Sequence, residues 1–150
     1  MPQFATKHFG AVDYQPESVF EFPAGLPGFE QETRFLPIEQ PSSYPVVFLQ
    51  SLNRPELCFI TLPVRVVDPN YRPSIAAEDL QALGVAEDRQ PEIGREVLCL
   101  AMVSVAEDRG PTANLLAPVV VNLKTRRGVQ AIQTGSGYLH QQLLMGASGG

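Results

Sequence analysis

Fourteen prolines and twelve glycines cut this chain into short pieces, and that punctuation constrains its fold more than any other feature. Proline has no backbone N–H and clashes with the preceding helical turn, while glycine weakens a helix, so long helices are excluded over most of the chain. The pieces between these residues are rich in Val, Ile, Leu, Phe and Thr, the composition of strands. Strands are expected near Ser18–Phe22, Thr33–Ile38, Val46–Gln50, Leu57–Leu62, Val97–Val105, Leu116–Leu123 and Val129–Gln133, with room for one more before Tyr14. Runs such as Val97-Leu98-Cys99-Leu100-Ala101-Met102-Val103 are apolar at every position, which requires cover on both faces of the strand. The expected fold is therefore mainly β: a small closed or nearly closed β-barrel-like single domain with one short helix and long connecting loops.

That helix is expected at Ile75–Leu83, where Pro73 and Ser74 supply a stop and a capping hydroxyl and Gly84 ends it in the left-handed conformation. Leu80 and Leu83 form its apolar stripe and are expected to plug one end of the barrel. The loops on either side, Val67–Pro73 and Gly84–Gly94, carry charge and should be exposed. One domain is expected over residues 1–146, with 147–150 as a disordered tail.

The amino terminus has neither the basic start nor the apolar middle of a secretory signal, and no apolar run is long enough to span a bilayer, so a cytoplasmic protein without membrane contact is expected. Cys58 and Cys99 sit inside apolar runs and read as buried free thiols. The net charge of −5 speaks against direct nucleic-acid binding, which needs clustered cations. Charge is unevenly spread: residues 1–64 hold seven acids and three bases, residues 65–110 nine and five, and residues 111–150 none and three. The acidic part suits a basic partner.

Little in the chain points to catalysis. His8 and His140 are the bases available near neutral pH, and neither adjoins a nucleophile elbow. The Cys and His residues are dispersed without metal-ligand spacing, and no cofactor is expected. Gly25-Leu26-Pro27-Gly28 lacks the Lys and Ser/Thr of a phosphate loop. The paired acids Glu87-Asp88 and Glu107-Asp108 read as solvated loop charge. Two other readings stay open: a β-barrel holding a metabolite or oligosaccharide in its lumen, which the unbroken apolar runs disfavour, and a hydrolase built on His8 or His140.

Four segments together resemble the FliW family: Phe20–Glu30 with its Phe-Pro-Ala-Gly-Leu-Pro-Gly-Phe turn, Leu49–Phe59, Val67–Tyr71, and Thr112–Asn122 with its Asn-Leu-Leu-Ala-Pro core. They occur in the family's order from about Phe4 to Tyr138, whereas Leu139-His140-Gln141-Gln142 departs from the basic extended segment that the family keeps there. Phe22, Pro23, Gly25, Pro27, Gly28, Phe29, Ala117 and Pro118 are the matching residues, and their types mark turns and core returns. The resemblance implies a small β-barrel-like domain that binds the RNA-binding translational repressor CsrA and antagonises it. It also implies binding of flagellin, which withdraws the factor so that flagellin translation follows secretion.

Interface energy concentrates in a few buried anchors, so loops joining an aromatic residue to charge are the expected contacts. These are Asp68, Tyr71 and Arg72, and the run Glu107, Asp108 and Arg109 leading to Asn114. With no heptad and no exposed apolar helix, a monomer is expected when unbound.

Overall fold

The computed structural model describes residues 2–106, 108–133 and 137–144. A hairpin of β1 (Gln3–Thr6) and β2 (Gly10–Asp13) precedes β3 (Phe20–Glu21), β4 (Arg34–Ile38), β5 (Val47–Ser51) and β6 (Cys58–Pro63). Two short helices follow, α1 (Val64–Val67) and α2 (Ala77–Leu83), and then β7 (Val97–Ala106), β8 (Arg109–Ala113), β9 (Val119–Asn122), β10 (Gly128–Gln130) and β11 (Gln142–Leu143). The main sheet runs β10-β9-β7-β6-β5-β4-β3, with β8 on the far half of β7 and β11 on β8. All its ladders are antiparallel. Among the described residues no helix is long and apolar enough to cross a membrane.

The sheet curls until its ends meet, but it does not close as a ladder. β3 meets the residue just before β10 through a single parallel bridge, Glu21 to Arg127, with the Glu21 N–H donating to the Arg126 carbonyl at 2.9 Å. Gly128 permits that approach, since a Cβ there would stand 2.5 Å from Cε1 of Phe22. The mainly β fold is as expected, and of the two forms expected, closed or nearly closed, the sheet takes the open one: it curls round and meets itself at one seam contact.

Strand burial has a different origin from the one expected. Along β7, Leu98, Leu100 and Met102 point into the curl, where they meet Phe20, Phe22, Phe35, Leu49, Val119 and Val121. The alternate residues Val97, Cys99 and Ala101 point outward into a second core with Val64, Tyr71, Ile75, Leu80, Leu83 and Leu115. Adjacent side chains on a strand face opposite ways, so a strand between two cores is apolar throughout. A third cluster, Val19, Leu36 and Leu52, lies under the β1–β2 hairpin with Phe4 and Val12.

The helix does not plug the barrel. α2 lies against β10 and sends Leu80 and Leu83 into the outer core. It starts two residues later than expected, at Ala77, with Ala76 as a cap residue that lends no side-chain hydrogen bond. The chain before it is held instead by Gln90, which accepts the Ile75 N–H at 2.7 Å and donates to the Ile75 carbonyl at 3.1 Å. Gly84 does end the helix at φ +78, with the Val85 N–H reaching the Leu80 carbonyl at 3.2 Å. Ser18 belongs to a 3-10 turn, Pro16–Ser18, rather than to β3. The region of residues 147–150 lies outside the described residues.

Candidate protein-docking surface

Two of the expected contact segments, Asp68–Arg72 and the one around Asn114, meet at Tyr71. Arg65, in the last turn of α1, donates Nε–H to the Tyr71 carbonyl at 3.2 Å, and Asp68 Oδ1 accepts the Asn70 N–H at 2.9 Å. This Asx turn swings Tyr71 inward. Its side chain has no exposed surface, and its hydroxyl donates to the Leu115 carbonyl at 2.8 Å. Burial pushes the Tyr71 phenol well above its ordinary range, with smaller contributions from Cys99, Tyr138 and Asp68. Tyr71 is therefore not an exposed anchor. It is a buried cross-link between two loops.

Asn114 has a matching role on the other loop. Its Oδ1 accepts the N–H groups of Leu116 and Ala117 at 3.1 and 2.9 Å, shaping the turn from which β9 starts. The Ala117 carbonyl accepts Gln130 Nε2–H at 2.9 Å, and the Pro118 carbonyl accepts the Ala131 N–H at 2.9 Å. Residues 137–144 strap both loops. Tyr138 stacks on Tyr71 with ring centroids 4.3 Å apart and planes 18° apart, and its hydroxyl accepts the Arg72 N–H at 2.9 Å. The Leu115 N–H donates to the Leu139 carbonyl at 2.9 Å. Tyr138 carried no distinctive signal in the sequence, because a lone tyrosine between a glycine and a leucine names no partner.

What these expected contact segments offer to solvent is charge with scattered apolar side chains. Arg72 and Asp108 are exposed and Asp68 is half-buried, while Glu107 lies outside the described residues and Arg109 is placed only by its backbone in β8. Leu139, Leu143 and Val105 are large exposed hydrophobics on the strap and on the β7–β8–β11 extension. The acidic loop after α2 is partly neutralised within itself: Arg89 holds Glu96 at 2.7 Å and Arg95 holds Glu92 at 3.4 Å.

The remaining motif residues build the seam side of the sheet. Phe22 is fully buried with its ring edge-on to Phe35 at 5.7 Å, and Phe29 meets Phe59 at 5.2 Å. Between them, Pro23 and Pro27 flank Gly25 at φ +68, where a Cβ would stand 2.5 Å from the backbone of Glu30. Gly28 at φ +85 faces open space, and its N–H donates to Glu30 Oε2 at 2.9 Å. Glu32, unremarked in the sequence, is buried and accepts Ser51 Oγ–H at 3.2 Å and Asn53 Nδ2–H at 3.1 Å, pinning the β5–β6 turn.

His8 and His140 are both exposed, and burial pushes the Cys58 thiol up to about 11 and the Cys99 thiol up to about 12, so both stay protonated near neutral pH. Among the described residues no group of His, Cys, Asp and Glu is arranged to hold a metal ion. An apolar groove of about 320 Å³ lies under the β1–β2 turn, lined by His8, Phe9, Phe48, Cys58 and Ile60. The inside of the curl is packed with aliphatic and aromatic side chains.

A curled β-sheet with packed cores, whose polar features gather on loops, defines a small scaffold of the kind that presents surfaces. A family model described as FliW protein matches residues 3–144, and the chain belongs to the FliW family. The flagellar assembly factor FliW of Syntrophomonas wolfei is 36% identical over 130 residues, covering 86% of this chain and 80% of the relative. That of Thermoanaerobacter pseudethanolicus is 35% identical over 138 residues, covering 91% and 89%. A crystal structure of the flagellar assembly factor FliW superposes with a TM-score of 0.83 at 28% identity, covering 96% of this chain and 97% of the other.

Proposed function

We propose that this chain is a cytoplasmic flagellar assembly factor that acts by binding proteins and not by catalysis. It binds CsrA and antagonises it, and it binds flagellin, so that free flagellin takes the factor from the repressor and flagellin translation follows secretion. The observation that carries this reading is the match to the FliW family over residues 3–144. The charge distribution supports it, since residues 1–110 hold sixteen acids against eight bases, suited to a basic RNA-binding partner.

Antagonism then has an electrostatic route. An acidic body docked on the repressor repels incoming RNA, provided that docking places it within about 10 Å of the RNA path at 0.1 M salt. On this reading Asp68, Arg72, Asp108 and their neighbours Glu107 and Arg109 meet a partner, while Tyr71 and Asn114 hold the loops in shape. The test is size-exclusion chromatography of the purified chain with CsrA from the same organism, at low and high salt, followed by flagellin. Co-elution that flagellin disrupts is expected, with weaker inhibition of RNA binding at high salt. Separate elution under every condition would overturn the reading.

A further inference from the structure

The seam between β3 and β10 carries a second charged surface, of opposite sign. All three bases of residues 111–150, Lys124, Arg126 and Arg127, lie in the turn joining β9 to β10. This turn is firmly built. Asn122, almost fully buried, accepts the Lys124 and Thr125 N–H groups on Oδ1 at 2.8 and 3.3 Å and donates Nδ2–H to the Leu83 carbonyl at 2.8 Å. The Arg126 N–H returns to the Asn122 carbonyl at 2.7 Å. Arg34 joins the group, because Glu21 is paired with Arg34 on one side and bridged to Arg127 on the other. Paired residues share a face of the sheet, and all three are exposed.

Two observations set this corner apart. The ion pairs among the described residues are Arg54–Glu56, Arg89–Glu96 and Arg95–Glu92, so Arg34, Lys124, Arg126 and Arg127 have no described carboxylate within pairing distance, not even Glu21 between them. An acidic chain thus leaves these four cations near one another and outside any ion pair among the described residues. Secondly, Arg126 sits at φ +66, the one non-glycine residue at positive φ among those described. Its backbone task, offering a carbonyl to Glu21, needs no side chain, and glycine or asparagine would perform it with less strain. Strained side chains of this kind gather at binding sites.

We propose that the 124–127 turn, with Arg34, is a docking site for a carboxylate-rich segment of a protein partner. Arginine forks take carboxylates bidentately, and a preformed turn loses little freedom on binding. Nucleic acid and anionic membrane fit less well, because their affinity grows with the number of phosphates neutralised. This patch is compact, Glu21 stands at its centre, and the rest of the chain is acidic.

The test is an amide NMR titration of the intact protein at low salt with a Glu-rich peptide of about ten residues, run beside a uridine oligonucleotide and phosphatidylglycerol vesicles. Peptide-induced shifts are expected at Arg34 and residues 124–127, with binding at least about tenfold weaker in the Lys124→Ala/Arg127→Ala double variant. Arg126→Gly is expected to melt no lower than the parent and yet bind the peptide more weakly, which separates charge from fold. Absence of shifts at these amides, or unchanged binding in the double variant, would overturn the site. A stronger response to the oligonucleotide or the vesicles would overturn its assignment to a protein partner.

Discussion

Replacing Tyr71 by Phe removes a single oxygen from the tie between the two contact loops. The ring remains, and with it the stack on Tyr138 at 4.3 Å. What is lost is the hydroxyl donated to the Leu115 carbonyl at 2.8 Å, at a residue with no exposed surface. An exposed carbonyl would turn to water, but this one is left without its donor in the outer core. A typical hydrogen bond contributes about 1 kcal/mol net, and stranding a buried acceptor costs about 1–3 kcal/mol. In a chain of 150 residues each kcal/mol moves Tm by about 2–4 °C, so a fall of roughly 2–12 °C is expected. Paired thermal and urea melts measure it, and an unchanged urea slope would show that the compactness of both states is preserved. Because the phenol faces inward, affinity for a protein partner, measured well below both midpoints, should change by less than about twofold. An unchanged midpoint together with a tenfold loss of partner binding would refute the buried cross-link and place the hydroxyl at an interface.

The two turn glycines should respond unequally. Gly25→Ala meets both a positive φ and the Glu30 backbone at 2.5 Å and should cost more than about 3 kcal/mol, whereas Gly28→Ala meets only the positive φ and should cost about 1–2 kcal/mol. Equal urea midpoints for the pair would contradict the close approach. Asn114→Ala removes the acceptor for the Leu116 and Ala117 N–H groups and should lower stability by about 1–2 kcal/mol, with Asn114→Asp largely restoring it in the same melts. Stability should also fall in alkali. Burial raises the Cys58 thiol to about 11 and the Cys99 thiol to about 12 from an ordinary value of 9.0, so above pH 9 the unfolded chain releases protons that the folded chain retains. Their contribution is whole below about pH 9 and is lost as pH rises toward 11 or 12. Urea midpoints under reducing conditions should therefore drop between about pH 8 and pH 10.5, less steeply in Cys99→Ala.

Much of the architecture was legible in local chemistry. The unbroken apolar run of β7 announced a strand covered on both faces, and Gly84 announced the end of α2, because side-chain alternation and left-handed backbone are properties of a few neighbouring residues. The Gly25 turn was likewise visible from its Gly and Pro residues, whereas the strand expected from Leu116 begins only at Val119, after a turn shaped by Asn114. Extra strands escaped notice where the pattern was weak: β8 contains Gly110 and Pro111, and β11 is two residues long. Such strands exist because a neighbour supplies their hydrogen bonds.

Tertiary structure alone decided how the covered faces are covered and which loop residues remain outside. One apolar run can line a closed barrel or lie between an inner and an outer core, and only the placement of α2 and the strap shows that the second holds here. Tyr71 reads as an exposed anchor until Leu115, 44 residues away, supplies an acceptor for its hydroxyl. Gly128 reads as an ordinary turn residue until Phe22 arrives against its Cα from the far end of the sheet. Sequence determined what each segment prefers, because propensity and alternation act over a few residues; pairings between distant residues depend on burial and hydrogen-bond partners that exist only once the chain has closed on itself.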